Sequence, residues 1–234
     1  MEGKWHLPNW IINTSVFYIE MDWEALMRIS SGATVLFQGD SITDTDRNHW
    51  KTGDLGTGYV MMVAERFSAK HPEVNVRFLN RGISGNRIRD LRQRWQKDCL
   101  NLKPDIVSIL IGVNDTLGTV FWGEPTSLES FEEDFACILS LTRKNLDAQI
   151  VLLEPFLLPL SREQIVLRHD INGRINVVRK LARDFETVLI QLDSIFSEAL
   201  KVEAPEFWST DGIHPTPAGH ALIAESWLSK MEPS

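Results

Sequence analysis

Thr34-Val35-Leu36-Phe37-Gln38-Gly39-Asp40-Ser41 passes without a break from an apolar run into a Gly-Asp-Ser turn. The run suits a strand buried on both faces, and the turn residues end it. Similar apolar runs recur at 106–111, 150–153 and 188–192. A further one at 74–79 alternates (Val74, Val76, Phe78), which predicts a more exposed strand beside the first. Helical patterns fill the intervals at 59–69, 88–99, 128–146, 165–185, 194–202 and 218–228. Alternating strands and helices predict a parallel sheet with right-handed crossovers and helices on both sides.

The chain has 234 residues, within the range of a single α/β domain, and shows no internal repeat or linker. We assign 33–234 to that domain. Residues 1–32 lie outside the alternation and form an N-terminal extension rich in rings (Trp5, Trp10, Phe17, Tyr18, Trp23). A free tail would expose too much apolar surface, so the extension is expected to pack on the domain or a neighbouring subunit. Cys99 and Cys137 make neither a CxxC pair nor a metal pattern and read as reduced thiols. No metal ligand set or cofactor motif is readable. A net charge of −8 without basic clusters argues against nucleic acid and anionic membranes as partners. With neither a membrane-length apolar stretch nor a signal-peptide pattern, a cytoplasmic location is expected.

In open parallel sheets, ligands bind beyond the carboxyl ends of the strands. Ser41 follows the first strand, Gly85 the second and Asn114 the third. Asp211 and His214, three residues apart before Pro215, allow one short loop to supply a general base and the carboxylate that orients it. Ser41 is then a candidate nucleophile. Gly85 can bring a backbone N–H close to a reacting carbon, and Asn114 offers a neutral side-chain donor for an oxyanion. His220 falls in a helical pattern and is expected to pack or cap there. His6, His49, His71 and His169 have no carboxylate at comparable spacing after a strand end. Asp44 and Asp115 are expected in capping or turn roles.

Four blocks now stand in order: Phe37–Asp44, Asn80–Asn86, Ile111–Asp115 and Asp211–Pro215. Together they resemble the signature of the SGNH/GDSL hydrolases over about residues 33–230. The resemblance implies Ser41 as nucleophile, His214 as base and Asp211 as its orienter. It also implies an oxyanion hole from the Ser41 and Gly85 N–H groups with the Asn114 side chain. The implied fold is a three-layer α/β/α sandwich with a five-stranded parallel sheet in the flavodoxin-like order 2-1-3-4-5. Finer features (Leu55-Gly56-Thr57-Gly58-Tyr59-Val60, Asp90-Leu91 and Trp208) are similar to bacterial acetyl xylan esterases of that family, which implies a homo-oligomer.

The leading reading is a serine esterase that removes short acyl groups, above all acetyl from sugar hydroxyls, through an acyl-enzyme. A thioesterase or lysophospholipase acting on longer chains is the alternative, and a non-catalytic binding protein the bland one. A phosphate or flavin site is disfavoured by the two carboxylates of the first turn, Asp40 and Asp44. The segments beside the motifs (44–54, 118–125, 206–210) read neither as a lid nor as a long apolar groove. Asp40, Trp122, Trp208 and Ile213 are the candidate substrate contacts.

Overall fold

In the computed structural model, which describes residues 26–231, the opening apolar run forms β1 (Thr34–Gly39), buried along its whole length. A strand with no exposed face needs partners on both edges and a layer on both sides. β1 pairs in parallel with β2 (Arg77–Asn80) and with β3 (Ile106–Leu110). β4 (Gln149–Leu153) and β5 (Val188–Ile190) extend the sheet, giving the order β2-β1-β3-β4-β5. This is the three-layer sandwich with the expected strand order.

Side chains alternate between two cores, as the two-residue period of a strand requires. Val35, Phe37, Ile106, Leu110, Val151 and Leu153 meet α2 (Tyr59–Lys70) and α9 (Pro217–Leu228). Leu36, Val107, Ile109, Ile150 and Leu152 meet α3 (Ile88–Asp98), α5 (Leu128–Asn145) and the C-terminal part of α6 (Glu163–Asp184). Each core holds a buried tryptophan whose ring N–H has found an acceptor. Trp227 Nε1 donates to Ser108 Oγ at 3.1 Å, and Trp95 Nε1 to Thr142 Oγ1 at 3.0 Å. Without those partners, burying an indole would cost an unpaired donor.

Two expectations are corrected. β2 begins only at Arg77, opposite Thr34, and its last three residues are buried rather than exposed. Val74 and Val76 do pack on the core, but from the turn before the strand. The strand is covered because the loop after α1 (Ser41–Asp44) crosses its end, where Asn80 Nδ2 donates to Leu55 O at 2.8 Å. Secondly, Val113–Val120 forms a helix, α4, where the sequence showed no helical pattern. Gly118 and β-branched Thr116, Thr119 and Val120 depress helix propensity there, and tertiary contacts override it. Residues 26–32 are the described part of the N-terminal extension. Met27 is fully buried in the core, and its N–H donates to Lys230 O at 2.7 Å. Most of the extension, with its rings at Trp5, Trp10, Phe17, Tyr18 and Trp23, lies outside the described residues. α7 (Leu192–Ala199) and α8 (Pro205–Trp208) complete the chain before α9. Among the described residues no helix is long and apolar enough to cross a membrane.

Trp227→Ala removes a large core side chain and orphans Ser108 Oγ. The loss of unfolding free energy is expected at ~3–5 kcal/mol, read by chemical denaturation. A loss under ~1 kcal/mol would mean that the core relaxes around the cavity.

Candidate active site

Ser41 stands at the first position of α1, immediately beyond the carboxyl end of β1. Asp40 caps that helix, its Oδ1 accepting from Ile42 N at 3.0 Å. The cap fixes how the chain turns away from the sheet, and so where the hydroxyl points. Ser41 Oγ lies 2.9 Å from His214 Nε2, and His214 Nδ1 lies 2.6 Å from Asp211 Oδ2. An ionised carboxylate can only accept, so it selects the tautomer with the proton on Nδ1. Nε2 then presents its lone pair to the serine hydroxyl. Asp211 Oδ1 also accepts the backbone N–H groups of Ile213 (2.9 Å) and His214 (2.7 Å). Partial burial works to raise the Asp211 pKa, but these hydrogen bonds prevail and hold it below the usual carboxylate range.

The loop that carries this pair is fixed from behind. Gln164 Nε2 donates to Asp211 O at 2.6 Å, and Leu158 N to Gly212 O at 2.9 Å. Gly212 has φ +85°, and a Cβ there would sit 2.6 Å from Leu158 O, so only glycine fits the turn.

The second and third blocks converge on the same edge. Gly85 has φ +81°, while a Cβ built there would meet open space. Its glycine answers a backbone conformation rather than crowding. Asn114, the second residue of α4, is buried and gives one Nδ2 hydrogen to Asn86 O at 3.1 Å, leaving the other. The Gly85-Asn86 turn and the asparagine are thus tied together.

A cavity of about 240 Å³ opens at Ser41, lined by Ser41, Ile42, Thr45, Asp46, Ser84, His214, Pro215 and His220. None of the four candidate substrate contacts lines it. Asp40 is 1% exposed, and burial pushes its carboxyl up to about 7 against the pull of its hydrogen bond and of His214. Trp208 and Ile213 are buried in the core, while Trp122 is half exposed at the end of α4. His220 behaves as expected of a packed helix residue. Its Nδ1 accepts from Tyr59 N at 3.2 Å, and burial lowers its pKa to about 4, which keeps it neutral.

His49 requires a correction, because it does find a carboxylate. Its Nε2 lies 2.8 Å from Asp44 Oδ1, and Asp44 Oδ2 accepts from Ser84 N (3.0 Å) and Ser84 Oγ (2.9 Å). Buried Asp44 therefore joins α1 to the turn that carries Gly85. The sequence offered no signal for this beyond Asp44 lying one turn after Ser41. Among the described residues no cluster of His, Cys, Asp and Glu could hold a metal ion.

Residues 37–222 match the model of the GDSL-like lipase/acylhydrolase family. An acetylxylan esterase from Geobacillus stearothermophilus is 36% identical over 213 residues, covering 88% of this chain and 96% of that protein. A crystal structure of an acetylxylan esterase from the same organism superposes with a TM-score of 0.81 at 34% identity, covering 89% of this chain and 98% of that one. Solved catalytic mutants of that esterase replace a serine, an aspartate and a histidine, the last two spaced as Asp211 and His214 are here.

Asp40 makes stability depend on pH in a stated direction. Its folded pKa of about 7 exceeds the ordinary 3.8, so its contribution is complete below about pH 3.8 and disappears as pH rises through 7. Asp40→Asn keeps an acceptor for the cap and cannot ionise. Its melting temperature relative to wild type is therefore expected to climb between pH 5 and pH 8. A constant offset across that window would show that burial has not raised the carboxyl.

Proposed function

Because the chain belongs to the GDSL-like lipase/acylhydrolase family, we propose that it is a serine esterase that removes acetyl groups from xylo-oligosaccharides through an acyl-enzyme. The observation that carries this reading is the continuous hydrogen-bond chain from Asp211 through His214 to Ser41, beside a small cavity. Ser41 Oγ attacks the acetyl carbonyl while His214 Nε2 takes its proton, and ionised Asp211 stabilises the imidazolium. Negative charge then develops on the carbonyl oxygen. The donors for it are the Ser41 and Gly85 N–H groups and the free hydrogen of Asn114 Nδ2. As the first residue of α1, Ser41 has no intrahelical acceptor for its N–H. Collapse passes the proton from His214 to the departing sugar oxygen, leaving acetyl-Ser41. Water then repeats the sequence and frees acetate.

Two observations support a short acyl group. At about 240 Å³ the cavity is smaller than most ligand pockets, which run from ~300 to 1,000 Å³. Its lining is also rich in hydroxyls and imidazoles rather than aliphatic side chains, so each methylene beyond the first would gain little of the ~0.8 kcal/mol that burial provides. The Geobacillus relatives carry acetylxylan esterase as their name, and we take their substrate class over on the strength of the shared fold and site.

The same proposal includes self-association and a cytoplasmic setting. Exposed Trp50, Phe121, Trp122, Ile165, Val166 and Phe207 supply apolar surface for contacts between copies. Cys99 and Cys137 are both free thiols, as suits a reducing compartment.

Acetate release from acetylated xylo-oligosaccharides, together with hydrolysis of 4-nitrophenyl esters from two to twelve carbons, tests the function. kcat/KM is expected to peak at acetyl or propionyl and to fall steeply by eight carbons. A profile that rises toward octanoyl would transfer the chain to the thioesterase or lysophospholipase class. Ser41→Ala and His214→Ala should each bring turnover nearly to background, with the double variant no worse, since the two act as a unit.

Asn114→Ala is expected to lower kcat by on the order of 10²–10³ with little change in KM, because its bond strengthens only as charge develops. A raised KM with intact kcat would make it a ground-state contact instead.

A further inference from the structure

The residues just after the nucleophile helix hold a backbone conformation that side chains other than glycine seldom adopt. Thr45 has φ +26° and Asp46 φ +59°. Such positions persist only where the surroundings over-determine them, and they gather at functional sites. Here the surroundings are visible. Thr45 N donates to Ser41 O at 3.0 Å, its Oγ1 to Ile42 O at 2.8 Å, and its carbonyl accepts from Thr57 N at 2.9 Å. These bonds hold the positive-φ residues with which α1 ends after four residues. The next residue, Arg47, plunges inward, its Nη2 donating to Gly82 O at 2.7 Å.

The turn leaves Asp46 exposed on the cavity wall, beside Ser41 and His214. It is the one carboxylate among the lining residues. Thr57 Oγ1 donates to its Oδ2 at 3.3 Å, while Oδ1 has no partner, and Asp46 makes no ion pair, among the described residues. The strained backbone therefore holds out a carboxylate with an oxygen to spare. An acetyl group has no donor to offer it. A sugar has one on the carbon next to the ester, and hydrogen bonds to ionised acceptors are the strong kind.

Resting on the function proposed above, we propose that Asp46 selects the alcohol half of the substrate. Its Oδ1 accepts a hydrogen bond from a hydroxyl adjacent to the acetylated oxygen, so the site favours polyhydroxylated alcohols over simple or aromatic ones. It takes no part in proton transfer, which belongs to His214.

The test compares wild type, Asp46→Asn and Asp46→Ala on acetylated xylobiose and on 4-nitrophenyl acetate, which has no hydroxyl. The ratio of kcat/KM for sugar over aryl ester should fall about 10- to 100-fold in both variants, chiefly through KM, equivalent to ~1.4–2.8 kcal/mol. A deoxy analogue lacking the neighbouring hydroxyl gives a second measurement that requires no variant to fold. Wild type should lose a similar factor on it, and variant plus analogue together should lose little more than either alone. Equal losses on both esters would make Asp46 a support for the loop and overturn the proposal. An unchanged ratio would overturn it too, as would full wild-type activity on the deoxy analogue. A wild type that cleaves the aryl ester and no sugar acetate refutes the function itself, and Asp46's role with it. A wild type that deacetylates the sugar with a ratio indifferent to Asp46→Asn refutes the role alone.

Discussion

Everything at this site depends on β1 lying inside a parallel sheet with no exposed face. A central parallel strand must hydrogen-bond on both edges and be covered on both sides, or its backbone and side chains are left unpaired. β2 and β3 satisfy the edges, and α2, α9, α3 and α5 supply the cover. Because all the strands point the same way, their carboxyl ends meet at one edge. Ser41, the Ser84-Gly85 turn and Asn114 arrive there within five residues of the ends of β1, β2 and β3. The site is assembled by topology before any side chain makes a catalytic contact.

Behind that edge the protein buries charge, and the arrangement concerns position more than stability. Arg174 is wholly buried on α6, lying 5.0 Å above the Phe131 ring and donating to Asp170 Oδ2 and Thr126 O, each at 2.8 Å. Burial pushes the Asp115 carboxyl up to about 7 despite that arginine, and its Oδ2 accepts from Ile88 N at 3.2 Å. Replacing such buried groups with apolar ones is often neutral or stabilising, so they are poor grounds for stability. Their partners give them another use. Asp115 follows Asn114 directly, and its contacts tie α4 to the start of α3, while Arg174 Nη2 reaches Asp115 O and ties α4 to α6. The asparagine amide thus sits on a helix held from two directions.

The fold was legible from apolar runs and turn residues because a doubly covered strand can hardly be written otherwise, as Ile106–Leu110 and Gln149–Leu153 show. Ser41, Asp211 and His214 were legible as one candidate set because one spacing and one strand end place them, and the structure brings them within hydrogen-bond distance. What escaped notice was set by contacts between distant segments. α4 is poor in helix formers and exists through its packing on α6. Trp208 looked like a ring at the rim, yet it is buried in the core, with its carbonyl taken by Thr216 N. Asp46 escaped because, although aspartate is among the non-glycine residues that tolerate the left-handed region, nothing in the local sequence signals that it does so here. Only the bonds around Thr45 reveal why it is there.

Catalysis by fixed dipoles and donors requires that they need not reorganise when charge appears. Two loops carry the groups proposed to act here, and loops are ordinarily the mobile part of a fold. Each is held by one side chain that makes several hydrogen bonds at once. Gln164 accepts from Leu160 N and Ser161 N with Oε1 and donates to Asp211 O with Nε2, joining the base loop to the start of α6. Asp44 accepts from Ser84 N, Ser84 Oγ and His49 Nε2, joining the Ser84-Gly85 turn to α1. A single bond would leave each loop free to pivot, whereas three from one planar group fix direction as well as distance. The proposed triad and the proposed oxyanion donors are therefore held on separate supports that meet at Ser41, which heads the helix containing Asp44 and bonds to the histidine in the loop that Gln164 holds.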